Sequence, residues 1–307
     1  MSGLDPQQPT ARPRHRRGAG RSGTIDRLNK LLRMMLLLAA PIGVAHAFDG
    51  LLLVGDSWAE QQWTDQAHTL AFDTLGFANV QVYGAATAES GTTAADWAQP
   101  ARLQVLRDEL DLRDNVDVVQ LTLGGNDFLD AWTTALTPGA EEALVEDVRA
   151  DLATVIDTIL AERPDVEILL SFYDYPNFVD TLGGLVGLLV CEPLWRDLGQ
   201  PDPLQLNTAS TEFEQAIADR ASSHPRVYYV SHLGLMQSRF GFPSSGIPPG
   251  QLLPPGDLTL PSPVEALRLG GDDCFHLNSL GYAEVVANQF DGYFATRFDV
   301  IFRSEFR

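Results

Sequence analysis

The sequence GLLLVGDS at residues 50–57 decides the fold class. An apolar run is followed at once by a Gly-Asp-Ser turn, and such runs are typical of strands buried on both faces of a parallel sheet. Comparable runs, each bounded by turn residues, occur at 80–83, 116–123, 166–172 and 227–231. Helical patterns lie between or after them, at 58–75, 94–110, 141–161, 208–222 and 279–295. This alternation predicts an α/β fold, a three-layer α/β/α sandwich around a mostly parallel sheet of about five strands.

Residues 1–47 have the pattern of an export signal. They hold 8 of the 21 basic residues and 2 of the 41 acidic ones, and an apolar run of 11 residues at 34–44 ends in Ala-His-Ala. A basic start, a short apolar run and small residues at the end are typical of a secretory signal peptide. We expect cleavage after Ala47 and a secreted or periplasmic protein, with an uncleaved N-terminal anchor as the alternative. No apolar run reaches the roughly 20 residues of a membrane-spanning helix, so no integral membrane segment is expected.

The charge of residues 48–307 limits the possible partners. They carry 13 arginines, no lysine and 39 acidic residues, a formal net charge of −26. Such a chain repels phosphate backbones, which excludes nucleic acid as a partner. We expect a single domain over 48–307 with loop insertions at 173–206 and 242–263. The second insertion holds seven prolines, which exclude a continuous helix or strand.

Polar residues or glycines follow the first three predicted strands, where the carboxyl ends of parallel strands share one edge of the sheet. Ser57 could offer a hydroxyl there, or could merely cap the following helix. Asn126, in a Gly-Gly-Asn-Asp turn, could donate its side-chain N–H to an oxyanion, or could merely stabilise the turn. Gly91 could donate a backbone N–H without a side-chain clash, and Gly84 is the other candidate for this backbone donor.

A possible base and its partner precede the last predicted helix. Asp273 and His276 lie three residues apart, and a serine nucleophile needs both a base and a group that orients the base. Among the histidines after residue 47, His276 has an adjacent carboxylate and a position at the same edge of the sheet. His68 falls within a helical pattern and is expected at the surface. Asp272 is the alternative orienting group.

In this order the blocks resemble those of the SGNH, or GDSL, hydrolase family: Gly-Asp-Ser at 55–57, a glycine at 91, Gly-x-Asn-Asp at 124–127 and Asp-x-x-His at 273–276. The resemblance implies the flavodoxin-like fold of that family and a carboxylic ester hydrolase of the esterase or lipase type. Ser57 would be the nucleophile, His276 the base and Asp273 its orienting group. The N–H groups of Ser57 and Gly91 and the Asn126 side chain would form the oxyanion hole, with no metal or other cofactor.

The same machinery serves carbohydrate acetylesterases and acyltransferases, so these remain alternatives, and a non-catalytic lipid- or glycan-binding module is a further one. The expected partner is a small-molecule or lipid ester; the sequence does not indicate the oligomeric state. Apolar residues 182–190 and the proline-rich insertion are expected to wall an acyl pocket. Cys191 and Cys274 form an even pair in a chain with an export signal, so a disulfide between them is expected.

Overall fold

Five parallel strands form one sheet in the order β2-β1-β3-β4-β5. The computed structural model describes residues 48–77, 79–221, 223–271 and 273–305. The strands are β1 (Gly50–Gly55), β2 (Gln81–Tyr83), β3 (Val116–Thr122), β4 (Glu167–Ser171) and β5 (Val227–Tyr229). The chain passes outward from β1 to β2 and then returns past β1 to β3, so the strand order reverses beside β1. The predicted α/β/α class with five strands is therefore confirmed.

Helices flank the sheet and follow its strands. They are α1 (Ser57–Thr64), α2 (Ala67–Leu75), α3 (Ala94–Trp97), α4 (Pro100–Leu112), α5 (Gly125–Ala131), α6 (Pro138–Glu162), α7 (Glu192–Asp197), α8 (Pro203–Ala221), α9 (Leu235–Phe240) and α10 (Ser279–Glu305). Two patterns predicted as single helices are each divided: 58–75 forms α1 and α2, and 94–110 forms α3 and α4. Gln66 adopts a left-handed conformation, with φ 54°, between α1 and α2. Within the described ranges, no helix is both long and apolar enough to span a bilayer.

Short polar side chains fix where the helices at the site begin. Asp56 caps α1 by accepting the Trp58 N–H at Oδ1, at 3.0 Å. Thr93 and Asp96 cap α3 reciprocally, each side chain accepting a backbone N–H of the other residue. Because these caps directly follow strand or loop ends, they set the position of the residues that the sequence singles out.

The two predicted insertions differ in structure. Residues 173–206 hold a π-helical turn (Gly187–Cys191), helix α7 and the start of α8. Residues 242–263 contain a 3₁₀ turn (Pro243–Ser245) and otherwise neither helix nor strand, as their prolines predict. Asn177 joins the two insertions, since its side-chain amide donates to the Ser262 carbonyl at 2.7 Å.

One prediction about the histidines is wrong. His68 is 2% exposed, not at the surface, because the inner face of α2 covers a polar side chain of β3. Its Nε2 lies 2.8 Å from Gln120 Oε1, and burial lowers the pKa of His68 to about 4. The predicted signal peptide at 1–47 and the alternative orienting group Asp272 lie outside the described residues.

Candidate active site

Ser57, His276 and Asp273 form a continuous hydrogen-bonded row at the carboxyl edge of the sheet. Ser57 is the first residue of α1, directly after β1, and His276 lies in the loop before α10. Ser57 Oγ is 2.9 Å from His276 Nε2, and His276 Nδ1 is 3.0 Å from Asp273 Oδ2. With the proton on Nδ1 and donated as a hydrogen bond to the Asp273 carboxylate, Nε2 is free to accept the serine proton.

Asp273 is held as a carboxylate by the loop that it closes. Its Oδ1 accepts the backbone N–H of Phe275 at 3.0 Å and that of His276 at 2.8 Å. Burial raises the pKa of Asp273, but the His276 side chain and these two N–H groups outweigh burial and hold the pKa below its usual value. A charged Asp273 can therefore both orient the imidazole and stabilise its protonated form.

Three N–H groups are available around Ser57. The backbone N–H groups of Ser57 and Gly91 make no hydrogen bond to another described residue. Gly91 has φ +77°, a conformation that a residue with a Cβ rarely adopts. Asn126 uses one side-chain N–H on the carbonyl of Thr92, at 2.9 Å, and has a second one to donate. Since Thr92 follows Gly91, this bond places Gly91 near Asn126. Gly84 instead packs against the Trp63 ring.

Two carboxylates hold the loop that carries Gly91. Glu60 of α1 accepts the Ser90 N–H at 3.0 Å and also the Ser90 hydroxyl. Asp127 of α5 accepts the Ala94 N–H at 2.8 Å. The loop is therefore fastened on both sides of Gly91, to the helix that begins with Ser57 and to the helix that carries Asn126.

Three contacts within the site were not anticipated from the sequence. Trp58 Nε1 donates to the Phe275 carbonyl at 3.1 Å and so joins α1 to the His276 loop. Arg268 forms a bidentate ion pair with Asp65, the residue that follows α1, at 2.7 and 3.0 Å, and its backbone N–H donates to the His276 carbonyl. Tyr173 stacks on Trp58 beneath Ser57. The only sequence signal for Tyr173 is its position just after β4, at the same edge of the sheet.

Cys191 and Cys274 are joined by a disulfide that fastens the first insertion to the loop between Asp273 and His276. A cavity of about 300 Å³ lies beside this junction, and its lining includes Phe178, Leu182 and Pro261. Both insertions therefore contribute to one apolar cavity.

Residues 185–190, expected to wall a pocket, mostly face outward instead. Leu185 is 73% and Leu189 is 70% exposed. The physical reason is that the π-helical turn directs Cys191 inward to its disulfide, which leaves the opposite side of the turn in solvent.

The class of protein defined by this fold and site is an acylhydrolase. The profile of the GDSL-like Lipase/Acylhydrolase family matches residues 53–284, and the chain belongs to this family. A comparison with curated proteins gives no match.

Several solved structures are similar to the chain. The carbohydrate acetylesterase Est24 from Sinorhizobium meliloti has 13% identity and a TM-score of 0.47, over 80% of this chain and 99% of that one. An extracellular lipase from Streptomyces rimosus has 16% identity and a TM-score of 0.45, over 79% and 98% of the two chains. A carbohydrate esterase family 3 protein from Talaromyces cellulolyticus has 14% identity and a TM-score of 0.45, over 81% and 97%. At such identities these similarities carry no information about the substrate.

Proposed function

We propose that the protein is an exported serine hydrolase that cleaves carboxylic esters through an acyl-enzyme. One observation carries this proposal: the His276 imidazole lies between Ser57 Oγ, at 2.9 Å, and Asp273 Oδ2, at 3.0 Å. This is the arrangement that a serine nucleophile requires, with a base in hydrogen-bond reach and a carboxylate behind it.

The reaction follows from the direction of these bonds. Ser57 Oγ attacks the ester carbonyl carbon while its proton moves to His276 Nε2, and Asp273 stabilises the imidazolium. The carbonyl π electrons move onto oxygen, and this oxyanion accepts hydrogen bonds from the N–H groups of Ser57 and Gly91 and from Asn126. His276 then protonates the leaving alcohol oxygen as the carbon–oxygen bond breaks. Water then attacks the acyl carbon as His276 takes its proton, and His276 returns that proton to Ser57 Oγ as the bond between Oγ and the acyl carbon breaks, which releases the acid and restores the enzyme.

The acyl side of the substrate is proposed to be apolar. The cavity at the junction of the two insertions supports this, because it is lined mainly by aromatic, aliphatic and proline side chains. Asn177 donates its backbone N–H to the Cys274 carbonyl at 2.7 Å, between two cavity-lining neighbours, Pro176 and Phe178. The cavity wall is therefore one hydrogen bond from the loop that carries His276.

Export is supported by two features. The signal pattern at 1–47 predicts a mature N-terminus at Phe48. The Cys191–Cys274 disulfide fits an oxidising compartment, where such bonds persist. Intact mass of the protein recovered outside expressing cells tests this, and a mass that retains residues 1–47 would contradict it.

The activity is tested with a series of p-nitrophenyl esters from acetyl to palmitoyl. We expect turnover by the purified protein, at least 10³-fold lower turnover by Ser57→Ala, and a preference for acyl chains longer than acetyl. Equal turnover by the variant would contradict the role of Ser57. A preference for the acetyl ester would instead favour an acetylesterase and contradict the acyl cavity.

A further inference from the structure

Two polar atoms beneath Ser57 are buried and lack a hydrogen-bond partner in normal geometry, Asp56 Oδ2 and the Tyr173 hydroxyl oxygen. Side-chain interactions with Asp56 and Ser57 both act on the pKa of the Tyr173 hydroxyl, and the Tyr173 ring stacks on Trp58, the residue that follows Ser57. The hydroxyl therefore lies beside both Asp56 and Ser57. Unpaired buried polar groups cost stability, so two of them together at a nucleophile call for an explanation.

The ring of Tyr173 is fixed from two sides. It stacks on Trp58, with ring centroids 4.7 Å apart and planes inclined by 12°. It also fills the space beside Gly125, where an added Cβ would lie 2.1 Å from a ring carbon. Gly125 precedes Asn126, so the glycine that follows β3 admits the tyrosine ring below the site. A ring held in this way leaves its hydroxyl little freedom except to rotate its proton.

We propose that Tyr173 is a positioning residue for the nucleophile, and that Asp56 controls its action. This inference rests on the proposed role of Ser57. With Asp56 neutral, Asp56 donates to the Tyr173 oxygen and Tyr173 donates to Ser57 Oγ, which directs the serine proton to His276. With Asp56 ionised, Tyr173 donates to the carboxylate and Ser57 loses this donor.

The hydrogen bond from Tyr173 to Ser57 Oγ matters most as the reaction begins. When His276 takes the serine proton, Oγ carries negative charge until its bond to carbon forms, and a hydrogen bond from a buried hydroxyl stabilises that charge. The same bond also holds the Oγ rotamer. Both effects raise the rate of the chemical step and leave substrate binding unchanged.

The groups that face Asp56 bring its pKa into the pH range that the experiment below covers. Burial raises the pKa of Asp56 to about 7, the charge of Asp127 on α5 acts in the same direction, and the Tyr173 hydroxyl and the Trp58 N–H act against it. Tyr282 of α10 also lies near, but its hydroxyl donates to Gln61 Oε1 at 2.9 Å. Tyr282, in edge contact with Trp58, is therefore a matched control for Tyr173.

The test measures how fast a small fluorophosphonate labels the protein at pH 6 and at pH 8.5, with intact mass to count the label and Ser57→Ala to locate it. At pH 6 we expect Tyr173→Phe to be labelled about 10-fold more slowly than wild type. Its KM for a p-nitrophenyl ester should stay within about twofold, and its melting temperature should not fall. Tyr282→Phe should be labelled at the wild-type rate. Comparing variants at one pH removes any effect of pH that all of the variants share.

Asp56→Asn provides the second variant. Its amide oxygen can still cap α1, and its N–H₂ can donate to the Tyr173 oxygen at every pH. In wild type, Asp56 ionises as the pH rises, so the ratio of the wild-type to the Tyr173→Phe labelling rate should fall towards one at pH 8.5. Asp56→Asn keeps its donor to Tyr173, so its labelling rate relative to wild type should rise from pH 6 to pH 8.5.

Equal rates for wild type and Tyr173→Phe at pH 6 would overturn the proposal for Tyr173. Should Tyr173→Phe fail to fold, a pH-independent ratio of Asp56→Asn to wild type would overturn it instead. Labelled wild type whose label is not on Ser57 would contradict the proposed function itself, a result separate from both.

Discussion

The His276 imidazole connects the proposed nucleophile to a carboxylate, and a single residue, Asp273, sets the orientation of the imidazole. Asp273 receives the imidazole Nδ1–H and two backbone N–H groups, so the ring and the loop share one anchor. In Asp273→Asn the amide can present N–H to Nδ1 and favour the wrong tautomer. We expect kcat to fall by about 10³–10⁴ with little change in KM. Steady-state ester hydrolysis checks this, with Asp291→Asn on the exposed side of α10 as control. A loss below tenfold would contradict the orienting role.

Asn126 is the side-chain member of the proposed oxyanion hole. Asn126→Ala should lower kcat by about 10²–10³ with little effect on KM, because the lost hydrogen bond forms to the charge of the transition state. The lost bond to the Thr92 carbonyl also loosens the Gly91 loop, so melting temperatures should be compared with Asn288→Ala. Asn288 makes a similar bond, to the Ser231 carbonyl at 3.0 Å, away from Ser57. A proportional rise in KM with unchanged kcat would be inconsistent with this role.

At the residue level, the sequence permits a prediction where chemistry dictates the residue type. The row of Ser57, His276 and Asp273 could be proposed because a nucleophile, a base and a carboxylate follow successive elements at one edge. Tyr173 could not, because its relation to Ser57 arises from packing against Trp58 and Gly125, which are distant in sequence. His68 was misplaced for the same reason, since its partner Gln120 is a polar residue within a buried strand.

At the scale of elements, the disulfide joins the first insertion to the loop of the proposed base. The bond closes a loop between two cysteines that are 83 positions apart in the sequence. In the chain-entropy model such a closure contributes about 4 kcal/mol to the free energy of unfolding. We expect reductant to lower both the melting temperature and kcat of wild type. The double variant Cys191→Ser/Cys274→Ser should resemble reduced wild type and should not respond to reductant. A wild type that is indifferent to reductant would contradict this.

A strand or helix could be predicted from the sequence where the burial of its apolar residues alone determines the element. The strands lie within a few residues of their predicted bounds because continuous apolar runs match strands covered on both faces. The predicted helix at 58–75 is divided because Gln66 turns left-handed, which no pattern of apolar residues encodes. The interior of 173–206 was equally unpredictable, because the disulfide and Asn177 organise it through contacts with distant segments.

For the molecule as a whole, buried carboxyl groups should make stability depend on pH. Glu214 of α8 is 3% exposed; burial raises its pKa to about 7, although the Ser231 and Tyr229 side chains act in the opposite direction. A carboxyl whose pKa is higher in the folded state binds more protons there, so the free energy of unfolding falls as pH rises from about 4.5 to about 7. Asp56 acts in the same direction.

Glu214→Gln should therefore reduce the loss of stability between pH 4.5 and pH 7.5, by up to about 3 kcal/mol at 1.4 kcal/mol per pKa unit. Urea unfolding at several pH values measures it. Glu142→Gln, an exposed residue on α6, is the control and should follow wild type. A Glu214→Gln profile parallel to wild type would mean that the pKa of Glu214 is the same in the folded and the unfolded protein.

The covalent role of Ser57 is tested most directly by rapid mixing with p-nitrophenyl octanoate, followed by intact mass after acid quenching. If acylation outpaces deacylation, about one p-nitrophenolate per protein should be released in a burst. The quenched protein should gain one octanoyl group on the peptide that contains Ser57, and Ser57→Ala should show neither the burst nor the added mass. Turnover by a folded wild type with the acyl group on another residue, or with equal turnover by Ser57→Ala, would contradict the assignment of Ser57 as the nucleophile.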